Sequence, residues 1–124
     1  MTTDLIEKTK QASKIWQEGF NTGNAEQCAG QYTSDAIMYA RPFGEFKGTE
    51  AIQSFWRQLI EDGFADVTYI NPTFSEHGEN TVELKSQWKM NKAGGVIHSE
   101  IWELQADGSM KLVHDDFEAI APDA

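Results

Sequence analysis

The pattern of apolar and polar positions divides the chain into a first part with helical spacing and a second part that alternates. Asp4, with Glu7 three residues on, predicts the start of a helix whose apolar positions Leu5, Ala12, Trp16 and Phe20 share one face, and Gly23 supplies its end. Asn24 predicts the cap of a short second helix running to about Gln31, with Gln27 in the reciprocal capping position. Thr49 predicts the cap of a third, in which Ile52, Phe55, Trp56, Leu59 and Ile60 recur at the spacing of an amphipathic helix as far as Gly63. Between the second and third helices, residues 36–41 read as a short strand stopped by Pro42, which has no N–H to give to a ladder.

After Gly63 the period becomes two. Residues 67–76 form a predicted strand interrupted at Pro72, and a turn at 77–80 leads into 81–90. There Val82, Leu84, Ser86, Trp88 and Met90 alternate with Glu83, Lys85, Gln87 and Lys89. Further strands follow at 96–105 and 109–120. Helices followed by an antiparallel meander predict an α+β class, with three N-terminal helices packed on one face of a mainly antiparallel sheet.

The last hairpin carries the strongest chemical signal. Gly108 after Asp107 suits a three-residue loop that ends in a left-handed glycine. Pairing outward from Gln105 and Ser109 then sets Trp102 against Leu112, Glu100 against His114, His98 against Asp116 and Ile97 against Phe117, so that apolar meets apolar and acid meets base. One face carries His98, Glu100, Trp102, Leu104, Met110, Leu112, His114 and Asp116; the other carries Ile97, Ser99, Ile101, Glu103, Lys111, Val113, Asp115 and Phe117. Matching apolar positions with the preceding strand puts the first face inside, beneath the helices. Four ionisable residues on an apolar inner face are costly to bury unless paired, and the two His–carboxylate pairs supply partners. They read as a satisfied polar network, as an acid/base cluster in an apolar pocket, or as a metal site, although no local ligand motif supports the last.

The acid/base reading assigns Glu100 and Asp116 as proton donor and acceptor, with His114 and His98 as their partners or shuttles. Trp16, Tyr39, Trp88, Met90 and Trp102 would line the pocket, and Arg41 would anchor an anion or carbonyl. The grouping of Ile97, Ile101, Val113 and Phe117 on the opposite face predicts a homodimer interface.

Composition narrows the partners. Ten Lys+Arg stand against twenty Asp+Glu, a formal charge of -10, and the basic residues are scattered singly; nucleic acid and anionic membrane surfaces are disfavoured. The length predicts one domain over 1–124. The first ten residues lack an apolar segment, and no run approaches the roughly 18 apolar residues of a membrane span, so a cytoplasmic location is expected. Cys28 stands alone and reads as a small buried thiol. Without a Gly-rich phosphate loop or a nucleophile elbow, no cofactor is expected.

Several strings carry a resemblance: Tyr32-Thr33-Ser34-Asp35-Ala36, Pro42-Phe43-Gly44, Gly48-Thr49-Glu50-Ala51-Ile52 followed by Phe55-Trp56, and the Asp107-Gly108 hairpin. In this order they resemble the nuclear transport factor 2-like superfamily, in particular its SnoaL-like and ketosteroid isomerase-like members. The resemblance implies a cone-shaped α+β barrel, a fold that serves isomerases, cyclases, dehydratases, epoxide hydrolases and non-catalytic modules. Ketosteroid isomerase uses an Asp base with a Tyr and a protonated Asp. Carried over by position, the helix-one Tyr falls on Trp16 and the base on Arg41, neither of which can do that work, while the protonated acid falls near Glu100 or Trp102. An Asp late in the last strand, found in other members, matches Asp115 or Asp116, and the register above favours Asp116. The expected function is binding of a small, largely apolar ligand with cofactor-free acid/base chemistry of isomerase, dehydratase or hydrolase type. The alternative is a dimeric, non-catalytic assembly module with a vestigial pocket.

Overall fold

The computed structural model describes residues 5–120, so the capping expected of Asp4 lies outside the described residues. The elements run α1 (Leu5–Asn21), α2 (Ala25–Ala29), β1 (Tyr32–Arg41), β2 (Gly44–Lys47), α3 (Thr49–Glu61), β3 (Thr68–Glu76), β4 (Thr81–Lys89), β5 (Gly94–Leu104) and β6 (Met110–Ile120). The strands form one six-stranded sheet in the order β2-β1-β6-β5-β4-β3. Every neighbouring pair is antiparallel except β1 with β6. β2, which the alternation does not announce, forms a hairpin with β1 across Pro42 and Phe43.

The helices pack on one face of this sheet, α1 over β3, β4 and β6, and α3 over β1 and β2. The apolar face of α1 is buried as its spacing predicts, with Leu5, Ala12, Trp16 and Phe20 in the core. In α3, Ile52 and Trp56 are fully enclosed. Asn24 Oδ1 accepts the backbone N–H of Gln27, but the Gln27 amide turns to the Ile15 carbonyl instead of closing the box. Gly48, not Thr49, stands at the cap of α3, and no side chain bonds the first turn. Val82, Leu84, Ser86, Trp88 and Met90 all face inward, as their alternation requires.

The tip of the β5–β6 hairpin has the expected register. Gly108 adopts φ 88, Gln105 N–H donates to the Ser109 carbonyl, and Trp102 stands opposite Leu112. Beyond that point the expected register is corrected. Ile101 pairs with His114, Glu100 with Asp115 and Ser99 with Asp116, before Ile97 meets Phe117 again. Two bulges cause this: Val113 is an extra residue in β6, and His98 an extra residue in β5. Each bulge reverses the direction of the side chains beyond it. Trp102, Glu100 and Ile97 therefore all point inward with Leu112, Asp115 and Phe117. The interface expected from Ile97, Ile101, Val113 and Phe117 is divided accordingly, because Ile97 and Phe117 are buried in the core while Ile101 and Val113 stay on the outer face.

Gly95 sits opposite Ala119 where β5 approaches both neighbours. A Cβ there would stand 1.9 Å from the Glu118 carbonyl oxygen and 2.9 Å from the Trp88 ring. Backbone cannot retreat as a flexible side chain can, so Gly95→Ala is expected to lower stability by about 3 kcal/mol, read as a shifted midpoint in urea.

Candidate functional site

The corrected register sets two carboxyl groups side by side beneath the helices. Glu100 and Asp115 are directly opposed on β5 and β6, and each is at least 95% buried. Glu100 has both oxygens engaged: Trp102 Nε1 donates to Oε1 at 3.0 Å and the Tyr69 hydroxyl to Oε2 at 3.4 Å. Asp115 is held on one side only. The Tyr32 hydroxyl donates to Oδ2 at 2.6 Å, while Oδ1 is buried with no partner.

Burial pushes the Asp115 carboxyl up to about 7, against the stabilising hydrogen bond from Tyr32. Glu100 is raised well above the usual carboxylate range, first by burial and then by the charge of Asp115. Two carboxyls this close share their titration, and each disfavours the ionisation of the other. Tyr32 and Tyr69 are raised well above the ordinary tyrosine range, chiefly by burial and then by the neighbouring carboxylates, so both remain hydrogen-bond donors.

An aromatic chamber stands over the pair, lined by Trp16, Trp56, Val67, Tyr69, Trp88, Met90, Ile97 and Phe117 together with Glu100 and Asp115. Its free volume is about 20 Å³, room for a group the size of one water. Trp16 meets Trp56 edge-on at 4.9 Å, and Trp56 stacks on Phe117 at 5.6 Å. Trp88, Met90 and Phe117 also line a second cavity of about 260 Å³, which opens outward between Pro42, Phe43, Leu59, Phe64 and Ile120. The outer, largely apolar cavity is thus a vestibule beside the chamber, and Trp88, Met90 and Phe117 belong to the walls of both.

The structure brings together Glu100, Trp16, Trp88 and Met90 in this chamber, with Trp102 bonded behind Glu100. It does not bring the other sequence-derived candidates there. Asp116 lies on the outer face in a bidentate ion pair with Arg41, at 2.8 and 3.1 Å, and the guanidinium holds its carboxyl below the ordinary range. His98, the bulged residue, bonds Glu118 at 2.9 Å on the surface. His114 packs against Tyr39, with ring centroids 5.5 Å apart, on that same outer side. The reason is the bulge at Val113, which exchanges Asp116 for Asp115 and turns His114 away from Glu100. Tyr39 and Arg41 do share one face, and it is the outer one.

Sequence reasoning missed Tyr32 and Tyr69 as site residues, preferred Asp116 to Asp115, and gave Trp56 only as an apolar position of the third helix. A signal for Asp115 was present, because inward Trp102 and Ile97 are five residues apart, as are Leu112 and Phe117. An odd spacing between two inward residues requires an extra residue in each strand. Cys28 is buried and inert as expected, its thiol donating to the Trp16 carbonyl at 3.6 Å and pushed up by burial to about 12. Among the described residues there is no cluster of three or more His, Cys, Asp or Glu side chains able to hold a metal ion, and no helix is long and apolar enough to cross a membrane.

No family model matches the sequence, and no curated protein matches it. Solved structures do match the architecture. The ketosteroid isomerase-like protein of Erwinia carotovora atroseptica superposes with a TM-score of 0.78 at 14% identity, over 91% of this chain and 94% of that one. ActVI-ORFA of Streptomyces coelicolor gives 0.79 at 10% identity over 94% and 98%. An NTF2-like protein with a cystatin-like fold from Novosphingobium aromaticivorans gives 0.75 at 16% identity over 95% and 83%. With its helices on one face of a mostly antiparallel six-stranded sheet, the chain has the α+β fold of the NTF2-like and ketosteroid isomerase-like proteins.

Proposed function

We propose that the protein binds a small, largely apolar ligand through the vestibule and exchanges a proton with it at Asp115 Oδ1, without a cofactor. One observation carries this reading: Asp115, one of whose carboxyl oxygens is buried with no partner, lines a largely aromatic cavity beside Glu100 and Tyr69. A carboxyl titrating near 7 is divided between acid and base at neutral pH, the condition under which proton transfer in either direction is most effective. Desolvation strengthens the ionised form as a base, because water no longer competes for its lone pairs. Tyr32 fixes the carboxyl by its other oxygen. Burial and the charge of Asp115 both disfavour ionisation of Glu100, which opposes two charges on the floor at once. The Erwinia and Streptomyces neighbours support a small-molecule role only through their shared architecture.

The activity is tested with 5-nitrobenzisoxazole, whose ring opens when a base removes its C3 proton and the N–O bond breaks to give a coloured cyanophenolate. The rate is expected to rise about tenfold per pH unit below neutrality and to level above about pH 7, following Asp115 ionisation. Asp115→Asn should lower it about a hundredfold while retaining the fold. Equal rates in wild type and variant at pH 8, where Asp115 is ionised, would overturn the assignment.

Stability provides a second check. The folded-state pKa of Asp115 is raised above that of the unfolded chain, so between about pH 4 and 7 the folded state retains a proton that the unfolded state has released. Stability should therefore fall as pH rises through this window, by an amount on the order of a few kcal/mol. Asp115→Asn is expected to reduce that slope in urea titrations made across the same range, leaving the part that belongs to Glu100.

The homodimer is proposed on narrower ground than the alternation implied, with Ile101 and Val113 half-buried on the outer face beside Tyr39 and His114. Sedimentation at micromolar concentration is expected to show a dimer that Ile101→Asp converts to monomer; a wild-type particle of 13.9 kDa would refute it.

A further inference from the structure

All three histidines of the chain stand on the outer side of the sheet. Two of them are already matched, His77 to Glu83 at 3.3 Å and His98 to Glu118 at 2.9 Å, both with side chains about half exposed. His114 is different. It stands directly opposite Ile37 of β1 on one side and Ile101 of β5 on the other, next to Val113 and with the Tyr39 ring 5.5 Å away. All five residues are partly buried in the single chain. A titratable ring thus forms the middle of an apolar stripe that crosses the outer face.

The charged groups around the ring are engaged elsewhere. Asp116, two positions along β6, feels the charge of the imidazole, but both its oxygens are taken by Arg41 of β1. On β4, Glu83 lies beyond Ile101 and is shared by Ser99 and His77. On β2, Lys47 and Glu45 lie beyond Ile37 and Tyr39 and pair with each other at 3.5 Å. Toward the hairpin tip Lys111 and Glu103 stand opposite one another, and the Lys111 ammonium donates to the Gly30 carbonyl. Among the described residues, no carboxylate comes within ion-pairing distance of the His114 ring.

This face also differs in charge from the rest of the molecule. The strand register puts Arg41, Lys47, Lys85, Lys89 and Lys111 on it. The acids there are Glu45, Glu83, Glu103, Asp116 and Glu118, with Asp35 at one edge. The face is therefore nearly neutral in a chain of net charge -10. A two-fold interface sets one patch against itself, so a patch of a single sign repels its copy, whereas signs interspersed around an apolar middle can complement themselves. A second copy of this chain fits such a face better than a partner strongly charged in either sign.

We propose that the outer face is a self-association surface gated by His114: two copies meet across the stripe while the ring is neutral and separate when it takes up a proton. This rests on the homodimer reading above and adds its regulation. Imidazole changes its charge within the physiological range of pH. In the separate chain, water solvates the imidazolium; against a second apolar stripe the ion would be desolvated, without a carboxylate partner and close to the equivalent ring of the copy. The dimer therefore excludes a proton that the monomer accepts, and by linkage it weakens as pH falls through the imidazole range. Overall charge acts in the opposite sense, because acid lowers the repulsion between two chains of charge -10. The sign of the pH effect thus separates the gate from bulk electrostatics.

Sedimentation equilibrium of the full chain between pH 8 and pH 5.5, at constant ionic strength, measures the dissociation constant, with tryptophan fluorescence as a check on the fold at each pH. The constant is expected to rise by about tenfold or more from pH 8 to pH 5.5. His114→Gln, neutral throughout, should remain dimeric at pH 5.5, and His114→Lys should be monomeric at pH 8. His77→Gln and His98→Gln should keep the wild-type pH dependence. A wild-type dimer that holds or tightens toward pH 5.5, an acid dissociation that survives in His114→Gln or is lost in His77→Gln or His98→Gln, or a His114→Lys dimer at pH 8 would overturn the gate and leave the homodimer reading standing. A wild type that is monomeric at pH 8 and micromolar concentration, or a dimer that Ile101→Asp leaves intact, would overturn both.

Discussion

The site depends on two bulges placed a few residues apart on neighbouring strands. Val113 in β6 and His98 in β5 each insert one residue, and between them the register is displaced by one position. A single bulge would have left the apolar residues of one strand facing water from that point on. Because the second restores the register, Ile97 and Phe117 return to the core, and only the short intervening stretch is altered. That stretch contains Glu100 and Asp115. The sheet thus places two carboxyls together on its inner face while continuing the apolar packing above and below them.

Such a pair is unfavourable to bury as ions, and the structure shows how the burden is met. Glu100 receives two donors, and Asp115 receives the Tyr32 hydroxyl. The rest is relieved by retaining a proton, since a buried carboxyl becomes neutral rather than tolerate an unpaired charge. The same desolvation that raises both groups brings Asp115 to a value suited to exchange at neutral pH. Stability and reactivity are therefore opposed at this floor, an opposition common where buried polar groups serve a site.

Around the floor, aromatic packing does two things at once. Trp16, Phe20, Trp56 and Phe117 make a continuous series of edge and stacked contacts that ties α1 and α3 to the sheet. Their rings exclude water from the carboxyls and so maintain the low-dielectric surroundings that tune them. The outer face is built on different terms: Arg41 with Asp116, and His98 with Glu118, are ion pairs exposed to solvent, where salt and water weaken each interaction.

What the sequence determined by itself was local and periodic. The amphipathic faces of α1 and α3, the alternation of β4, the glycine-closed hairpin and the inward position of Glu100, Trp88 and Trp102 all follow from spacing, because each depends on neighbours within a turn or two of the chain. Asp115 rather than Asp116, Tyr32 rather than Tyr39, and the removal of His98 and His114 to the surface were decided only in the tertiary structure. A bulge is a property of two strands, chosen because burying Ile97 and Phe117 outweighs the ladder hydrogen bonds it disturbs; a strand read alone carries no record of that balance. The five-residue interval between inward apolar residues is its only trace in the sequence, and it acquires meaning once both strands are laid side by side.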